Sequence, residues 1–569
     1  GKSLCYQLPA LIQGGLTIVV SPLIALMKDQ VDSLTNNGIK ATFLNSSLDS
    51  KEQREREFQL ANGQISILYV SPEKLLSEGF LDAIGGMQEK LKLQSFAIDE
   101  AHCVSEWGHD FRPEYRQLGQ LKQRFPSVQI TALTATATER VRQDIVHQLG
   151  LQNPSLHVGS FHRPNLHYQV RAKSKESYKE LLKLIKADLS ASVIVYCQSR
   201  KSVEGLAEKL SADGIHALPY HAGLSASERN ANQDAFIKDN VQVVVATIAF
   251  GMGINKPDVR LVVHFDLPRN LEGYYQESGR AGRDGEKANC ILFFSYGDKS
   301  KVEYLISQKE DEQERLLARQ QLNQVISYAE SSLCRTKIQL QYFSEKLDKC
   351  NHCDNCLEPM PVKDQTVNAQ KLISCIARTK EKFGLKYVID ILRGADTEQI
   401  RRYKHNELST YQIGKDLNAP VWQHFGRSLI HQGVLAESHD GYGILKLNSE
   451  SIKVLKGQKK IFIHEPRFVS AERPSQIEKD REVITEKLDA VSEGLFQRLR
   501  KLRKELADRN AVPPYVVFPD ATLKGMATRR PRNDAQMLSI PGVGNRKLEQ
   551  YGRVFRELIQ SYCIEHDLL

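Results

Sequence analysis

The sequence predicts an α/β fold: two tandem units built on parallel sheets, then a helical segment with a cysteine cluster, a small α+β module and a compact helical bundle. Three observations carry this. Apolar, strand-like runs alternate with polar, helix-like stretches from Leu16 to about Ser160; the pattern restarts after Phe161; and four of the ten cysteines crowd into the 23 residues from Cys334 to Cys356. A chain of 569 residues also exceeds what one hydrophobic core supports, so several domains are expected.

In the first unit, "LTIVVSPL", "ISILYVSPEKL", "SFAIDEAH" and "ITALTATAT" read as buried strands, each ending at Ser, Thr, Asp or Pro where a loop begins. "ASVIVYCQS", "VQVVVATIAFG" and "VRLVVHFDLP" play the same part in the second. Active loops are expected at the C-terminal ends of such strands. From about Lys301 the chain turns helical and charged before the cysteines. "GILKL" is a Gly-bounded strand in the module that follows, and "HEPRFVSAERPSQIEKD" has the charge of a linker. The expected boundaries are 1–160 and 161–297 for the sheet units, 298–361 for the cysteine segment, 362–457 for the α+β module, 458–486 for the linker and 487–569 for the bundle.

Hydrophobic residues make up 41% and charged residues 26%, with no apolar run long enough to span a bilayer, so the expectation is a cytoplasmic protein without a membrane segment. Net charge is +9, concentrated near the C-terminus, where residues 495–535 hold ten basic residues against four acidic ones. That stretch reads either as a solvated helix face or as a nucleic-acid surface.

The chemistry starts at "GKS". Gly1, Lys2 and Ser3 read as the second half of a phosphate-binding loop whose first half would lie upstream, with Lys2 on the β and γ phosphates and Ser3 on Mg²⁺. "FAIDEAH" delivers Asp99 and Glu100 to a strand end, where one carboxylate can hold Mg²⁺ and its neighbour can orient or deprotonate an attacking water. An Asp-Glu pair alone is usually an ordinary loop; half a phosphate loop upstream changes that. In "YYQESGRAGRDG", Arg280 and Arg283 stand three apart, suited to charge that builds on a γ-phosphate. The cysteines follow C-x₁₅-C-x₂-C-x₂-C, and Cys334, Cys350, Cys353 and Cys356 can close a tetrahedral Zn²⁺ shell of the structural type, leaving His352 a bystander.

Taken in order, "GKS", "VVSPLIALMKDQV", "DEAH", "LTATAT", "IVYCQSR", "VATIAFGMGINKPDVRLVVHFDLP" and "QESGRAGRDG" resemble superfamily 2 helicases, specifically the RecQ family of DNA helicases, and the resemblance runs through essentially the whole chain. It implies two RecA-like domains with ATP and Mg²⁺ in the cleft between them, then zinc-binding, winged-helix and HRDC modules. It implies catalytic roles for Asp99, Glu100, Gln276, Arg280 and Arg283, with the dominant arginine left open, and a linking role for Thr134 and Thr136. The loop "CVSEWGHDFRPEYR" offers Trp107 and Phe111 as stacking faces and His109 and Arg112 as polar or cationic groups. Spacing alone reads the two aromatics as core; the resemblance reads the loop as a sensor of single-stranded DNA.

Softer expectations follow. In the winged-helix segment, Arg393, Lys404 and Arg427, with Ser428, would meet phosphates. In the HRDC segment the "PGVG" turn (541–544), Arg546 and Lys547 would do so. The resulting expectation is an ATP-dependent 3′-to-5′ DNA helicase of repair, recombination, replication and the SOS response. Its partners would be single-stranded and forked duplex DNA, with single-strand-binding protein and a topoisomerase as candidates; it would be a monomer near the nucleoid. The rivals are an RNA helicase and, because the phosphate loop is incomplete here, a nucleic-acid-binding protein without turnover. The adenine-recognition segment of the family would also lie upstream.

Overall fold

The computed structural model describes residues 2–77, 79–108, 111–250, 256–438, 443–465 and 488–568. They form two units, one made of residues 1–161 with short segments at 249–255 and 340–345, the other of the remainder.

In the first unit, strands β1 (Leu16–Val20), β2 (Ala41–Leu44), β3 (Ile67–Val70), β4 (Leu93–Ile98) and β5 (Gln129–Ala132) make a parallel sheet in the order β2-β3-β1-β4-β5. The strand order reverses between β1 and β4, and an open parallel sheet binds ligands at the carboxyl ends of its strands where such a reversal occurs. The amide of Asp99, just past β4, donates to the carbonyl of Val20 at the end of β1 (2.9 Å). The Asp-Glu pair therefore sits at the switch point. Strands β1, β2 and β3 are buried along their whole length, which is why they are continuous apolar runs rather than alternating ones.

The second unit carries β6 (Leu166–Ala172), β7 (Ser192–Tyr196), β8 (Ala217–Tyr220), β9 (Val243–Ala246), β10 (Val259–His264) and β11 (Ala288–Phe294) in the order β6-β11-β10-β7-β9-β8, all paired in parallel. Helices Arg200–Ala212 and Ala226–Ile237, between strands, start on side-chain caps. Ser199 accepts from the Ser202 amide, and Ser225 with Glu228 forms a reciprocal capping box.

The modules that follow belong to the same unit, apart from residues 340–345. Helix Glu312–Glu330 leads to helix Arg335–Tyr342 and the cysteine cluster. The next module packs helices Thr366–Arg378, Leu385–Arg393 and Ala419–His431 around fully buried Trp422, whose indole N–H donates to the Gly414 carbonyl (2.8 Å). It carries the hairpin β13 (Leu435–Glu437) and β14 (Leu445–Leu447), and β12 (Val362–Asp364) pairs antiparallel with β15 (Phe462–His464). Strand β15 falls in the stretch read from sequence as linker, so backbone pairing of this module runs past residue 457. The C-terminal bundle folds helices Ala490–Arg509, Asp520–Arg529 and Arg553–Glu565 over Leu495, Leu499, Phe518, Leu523 and Phe555. Among the described residues, no helix is long and apolar enough to cross a membrane.

Candidate nucleotide and nucleic-acid sites

Strand β4 ends by delivering Asp99 and Glu100 against Lys2. The Lys2 ammonium lies 2.7 Å from a Glu100 carboxylate oxygen and 3.6 Å from Asp99. Burial works against the charge on Lys2, but Glu100 and Asp99 outweigh it and raise its pKa; burial also raises the pKa of Asp99, against the pull of Lys2. Glu100 takes up a left-handed backbone conformation (φ +47°), a sparsely used state for this residue type that occurs at sites under functional constraint. Ser3 immediately precedes helix Leu4–Gln13, and the Cys5 amide already donates to the Lys2 carbonyl (3.0 Å), so the helical turn runs back through Ser3 and its N-terminal end, the one that favours an anion, lies at Lys2. Gly1 lies outside the described residues.

A polar chain runs outward from this point. His102 Nδ1 stands 3.4 Å from Glu100 and 2.9 Å from the Thr134 hydroxyl, and Thr134 donates to the carbonyl of buried Thr136 (2.9 Å). Beyond it lies the aromatic loop. Trp107 is 40% exposed, and the Arg140 guanidinium covers its ring at 3.2 Å from the centroid. Phe111 is half-buried beneath Arg116. The structure therefore does not place Trp107 in the core, which was the reading from spacing alone. Arg112 donates to the Pro22 carbonyl (3.3 Å), and Tyr115, which sequence reasoning passed over, donates to the carbonyl of Asp99 (3.1 Å). The loop is thus fastened to the ends of β1 and β4. Gly108 makes this tight return possible, since a Cβ there would sit 2.4 Å from the His102 carbonyl oxygen. His109 lies outside the described residues.

In the second unit, Gln276 lies on helix Leu271–Ser278, which is capped by Asn270. Arg280 is buried against Tyr196, whose hydroxyl is raised by burial against the pull of Arg280; Arg283 is exposed. Two residues that sequence reasoning used only as a boundary, Arg163 and Asn165, hold this turn. Arg163 donates to the carbonyls of Gly279, Ala281 and Gly282 (3.3, 3.1 and 2.9 Å), and Asn165 to those of Gly282 and Glu286 (2.7 and 2.8 Å). Gly282 has φ +52° and lies so close that a Cβ would meet the Asn165 amide at 2.5 Å. The visible signal was the pair of polar side chains in "FHRPNL".

The sulfur atoms of Cys334, Cys350, Cys353 and Cys356 all lie within 4.8 Å of one another, with Cys350 to Cys356 at 3.9 Å and Cys334 to Cys353 at 4.0 Å. A tetrahedron of Zn–S bonds of about 2.3 Å has edges of about 3.8 Å, so the donor set fits Zn²⁺. Backbone amides aim at the sulfurs as well: those of Arg335, Cys350 and Cys353 approach Cys353, Cys334 and Cys350 at 3.4, 3.3 and 3.3 Å. His352 instead places Nδ1 2.6 Å from the Cys350 carbonyl and its ring against His167. Below the cluster, buried Arg335 grips buried Asp354 (2.9 Å), and Asp354 accepts from the Val170 amide of β6 (3.0 Å).

Two of the softer phosphate candidates have other work. Arg427 is paired with Glu330, both largely buried, and joins helix Ala419–His431 to helix Glu312–Glu330. Lys547 lies over the Phe518 ring, and burial lowers its pKa. The "PGVG" turn is held from inside, with the Thr522 hydroxyl donating to the Pro541 carbonyl (2.8 Å).

Comparison with known proteins accounts for these features together. Residues 1–145 match the DEAD/DEAH box helicase family, 176–285 the helicase conserved C-terminal domain, 296–357 the RecQ zinc-binding family, 359–472 the RQC domain and 492–559 the HRDC domain. The chain is 46% identical over 564 residues to the ATP-dependent DNA helicase RecQ of Pasteurella multocida, covering 99% of this chain and 88% of that protein. It is 39% identical over 565 residues to that of Bacillus subtilis, covering 99% and 92%. Against the ATP-dependent DNA helicase Q-like 4B of Arabidopsis thaliana it is 36% identical over 613 residues, covering 100% of this chain and 53% of the other. With full-length likeness and all five domain families in order, the chain belongs to the RecQ family of ATP-dependent DNA helicases.

Proposed function

We propose that this protein hydrolyses ATP to move 3′-to-5′ along single-stranded DNA and to separate duplex strands, in the service of DNA repair, recombination and replication. The supporting observation is the polar chain from Lys2 through Glu100 and His102 to Thr134, which joins the residues suited to a triphosphate with the segment beside the aromatic loop. Glu100 takes a proton from water; the water oxygen bonds to the γ-phosphorus as its bond to the bridging oxygen breaks, and ADP and phosphate leave. Lys2 binds the β and γ phosphates. Ser3 and Asp99 would hold Mg²⁺, which when bound neutralises phosphate charge. Gln276, Arg280 and Arg283 of the second unit are suited to phosphate, the arginines to charge that grows in the transition state.

Trp107 and Phe111, with His109 and Arg112, read the single strand, and Thr134 and Thr136 relay its presence. The Zn²⁺ site braces the module beside β6. Single-strand-binding protein and a topoisomerase as partners, a monomeric state and a nucleoid location go with the same reading.

The test is strand separation on forked DNA by the wild-type chain and Lys2→Ala, with phosphate release measured beside single-stranded DNA or RNA. Unwinding by wild type alone, and DNA-stimulated hydrolysis, is expected. Equal unwinding by both would remove Lys2 from the site. Binding without phosphate release would make the chain a passive DNA binder, and stimulation by RNA alone would make it an RNA helicase.

A further inference from the structure

The basic stretch of the C-terminal bundle divides into two faces. Four of its cations turn inward onto the second RecA-like domain. Arg500 donates to the carbonyl of Ser190 (2.8 Å), and Lys504 to the carbonyl of Lys238 and the side-chain oxygen of Asn240 (both 2.7 Å). Arg503, 1% exposed, stands 3.7 Å from Asp239 and 2.7 Å from Asp520 of its own bundle. Lys524 reaches Glu286 (2.5 Å).

The surface that receives them offers acceptors of two kinds. Lys238 immediately follows helix Ala226–Ile237, so its carbonyl is among those left without a partner at the helix C-terminus, where the helix dipole also attracts cations. Beside that end stands the carboxylate of Asp239, which buried Lys256 also holds, and Lys524 meets a second carboxylate of the same domain, Glu286. Charge also interleaves across the contact. Burial would raise the Asp520 carboxyl, but Arg503 and Arg500 from its own side and Arg260 from the opposite domain hold it down at about 2. Arg260 is in turn paired with Asp284, the residue after Arg283.

We propose that this surface of the second RecA-like domain, with its carbonyl and carboxylate acceptors, is a receptor for the HRDC bundle. Arg500, Arg503, Lys504 and Lys524 are then docking residues, and nucleic acid is left to the exposed cations on the bundle's other positions, Lys501, Arg509, Arg529 and Arg532. The chemistry supports the division. The inward cations meet fixed acceptors, carbonyl and carboxylate oxygens at hydrogen-bonding distance, whereas cations that track a phosphate backbone need solvent access. The second half of the assignment rests on the DNA-binding reading above; the docking half does not.

Zero-length carbodiimide coupling tests it on the full chain, because it joins an amine to a carboxylate only when the two touch. Without DNA, a peptide joining Lys524 to Glu286 is expected, scored against coupling of Lys459 to Glu450 inside the RQC module, which stand 2.7 Å apart. Lys504→Glu should lower that yield at least about threefold, as should raising the salt. It should leave the salt dependence of single-strand affinity unchanged. Lys501→Ala with Arg529→Ala should preserve the cross-link and flatten the salt slope by about 0.7 per lost phosphate contact. Absence of the Lys524 to Glu286 peptide in wild type overturns the docking. A slope that falls with Lys504→Glu, or stays put in the double variant, overturns the division of faces. A chain that cross-links as expected but binds no DNA fails the helicase reading and leaves the docking intact.

Discussion

Nδ1 of His102 lies 2.9 Å from the hydroxyl of Thr134, joining the strand end that carries Asp99 and Glu100 to the segment after β5. Thr134→Val keeps the volume and removes the hydroxyl, which also bonds to the Thr136 backbone. Losing hydrogen bonds of this kind costs about 1–3 kcal/mol where the partners stay buried. DNA-stimulated ATP hydrolysis should persist while strand separation per ATP falls at least about tenfold, the equivalent of 1.4 kcal/mol. Parallel measurement of phosphate release and unwinding checks this; equal losses in both would show that Thr134 serves hydrolysis alone.

Trp107 bears on the same coupling from the other end. Base stacking on an aromatic side chain contributes about 1–3 kcal/mol. Trp107→Ala should therefore raise the single-strand concentration that half-maximally stimulates ATP hydrolysis by about 5- to 150-fold. Hydrolysis without DNA should be unchanged, and Trp107→Phe should recover most of the loss. A titration of oligonucleotide against phosphate release is sufficient.

Arg335 and Asp354 form a buried ion pair beneath the cysteines, and removing one partner strands the other charge. Asp354→Asn should destabilise this module by about 3–5 kcal/mol, while replacing both residues with apolar ones should cost much less. Zinc release to a chromogenic chelator should accelerate in the single variant, together with faster amide exchange over residues 334–357 and at Val170.

His431 gives the RQC module a pH dependence. Burial lowers its pKa to about 4, helped by Arg427, and its Nε2 lies 2.8 Å from the Ser327 hydroxyl. The folded pKa is below the unfolded one of about 6.5, so between those values the unfolded chain binds the extra proton. Stability is full above about pH 6.5 and declines by up to about 3 kcal/mol as pH falls toward 4. His431→Gln should flatten that slope, seen as amide exchange of helix Ala419–His431 at pH 5 against pH 7 at constant zinc.

The sheets were legible because parallel strands buried on both faces are written as unbroken apolar runs, as in β1 and β9. Strand β2, only "ATFL", and β8, with Pro219 inside it, gave too short or too broken a run to stand out. Edge strand β6 mixes His167, Gln169 and Arg171 among its apolar residues because polar partners cover it, and period alone does not show partners. Motif spacing groups Lys2, Asp99 and Glu100, and in the structure the three side chains lie together. It was blind to Arg163 and Asn165, which work through backbone carbonyls distant in sequence; it offered Arg427 to phosphates where Glu330 holds it, and it left the C-terminal basic stretch between solvent and nucleic acid where four of its cations meet carboxylates and carbonyls of this chain. Charge is visible in a sequence; the partner that neutralises it is not.

Strand β6 ends the sheet order of the second RecA-like domain, and Asp354 covers its outer flank by accepting from the Val170 amide. An uncovered strand flank is a template on which another chain can add. Starving the protein of metal should therefore do more than loosen a small module: it should bare this seam and favour association of copies along it, seen as a rise in light scattering on adding chelator.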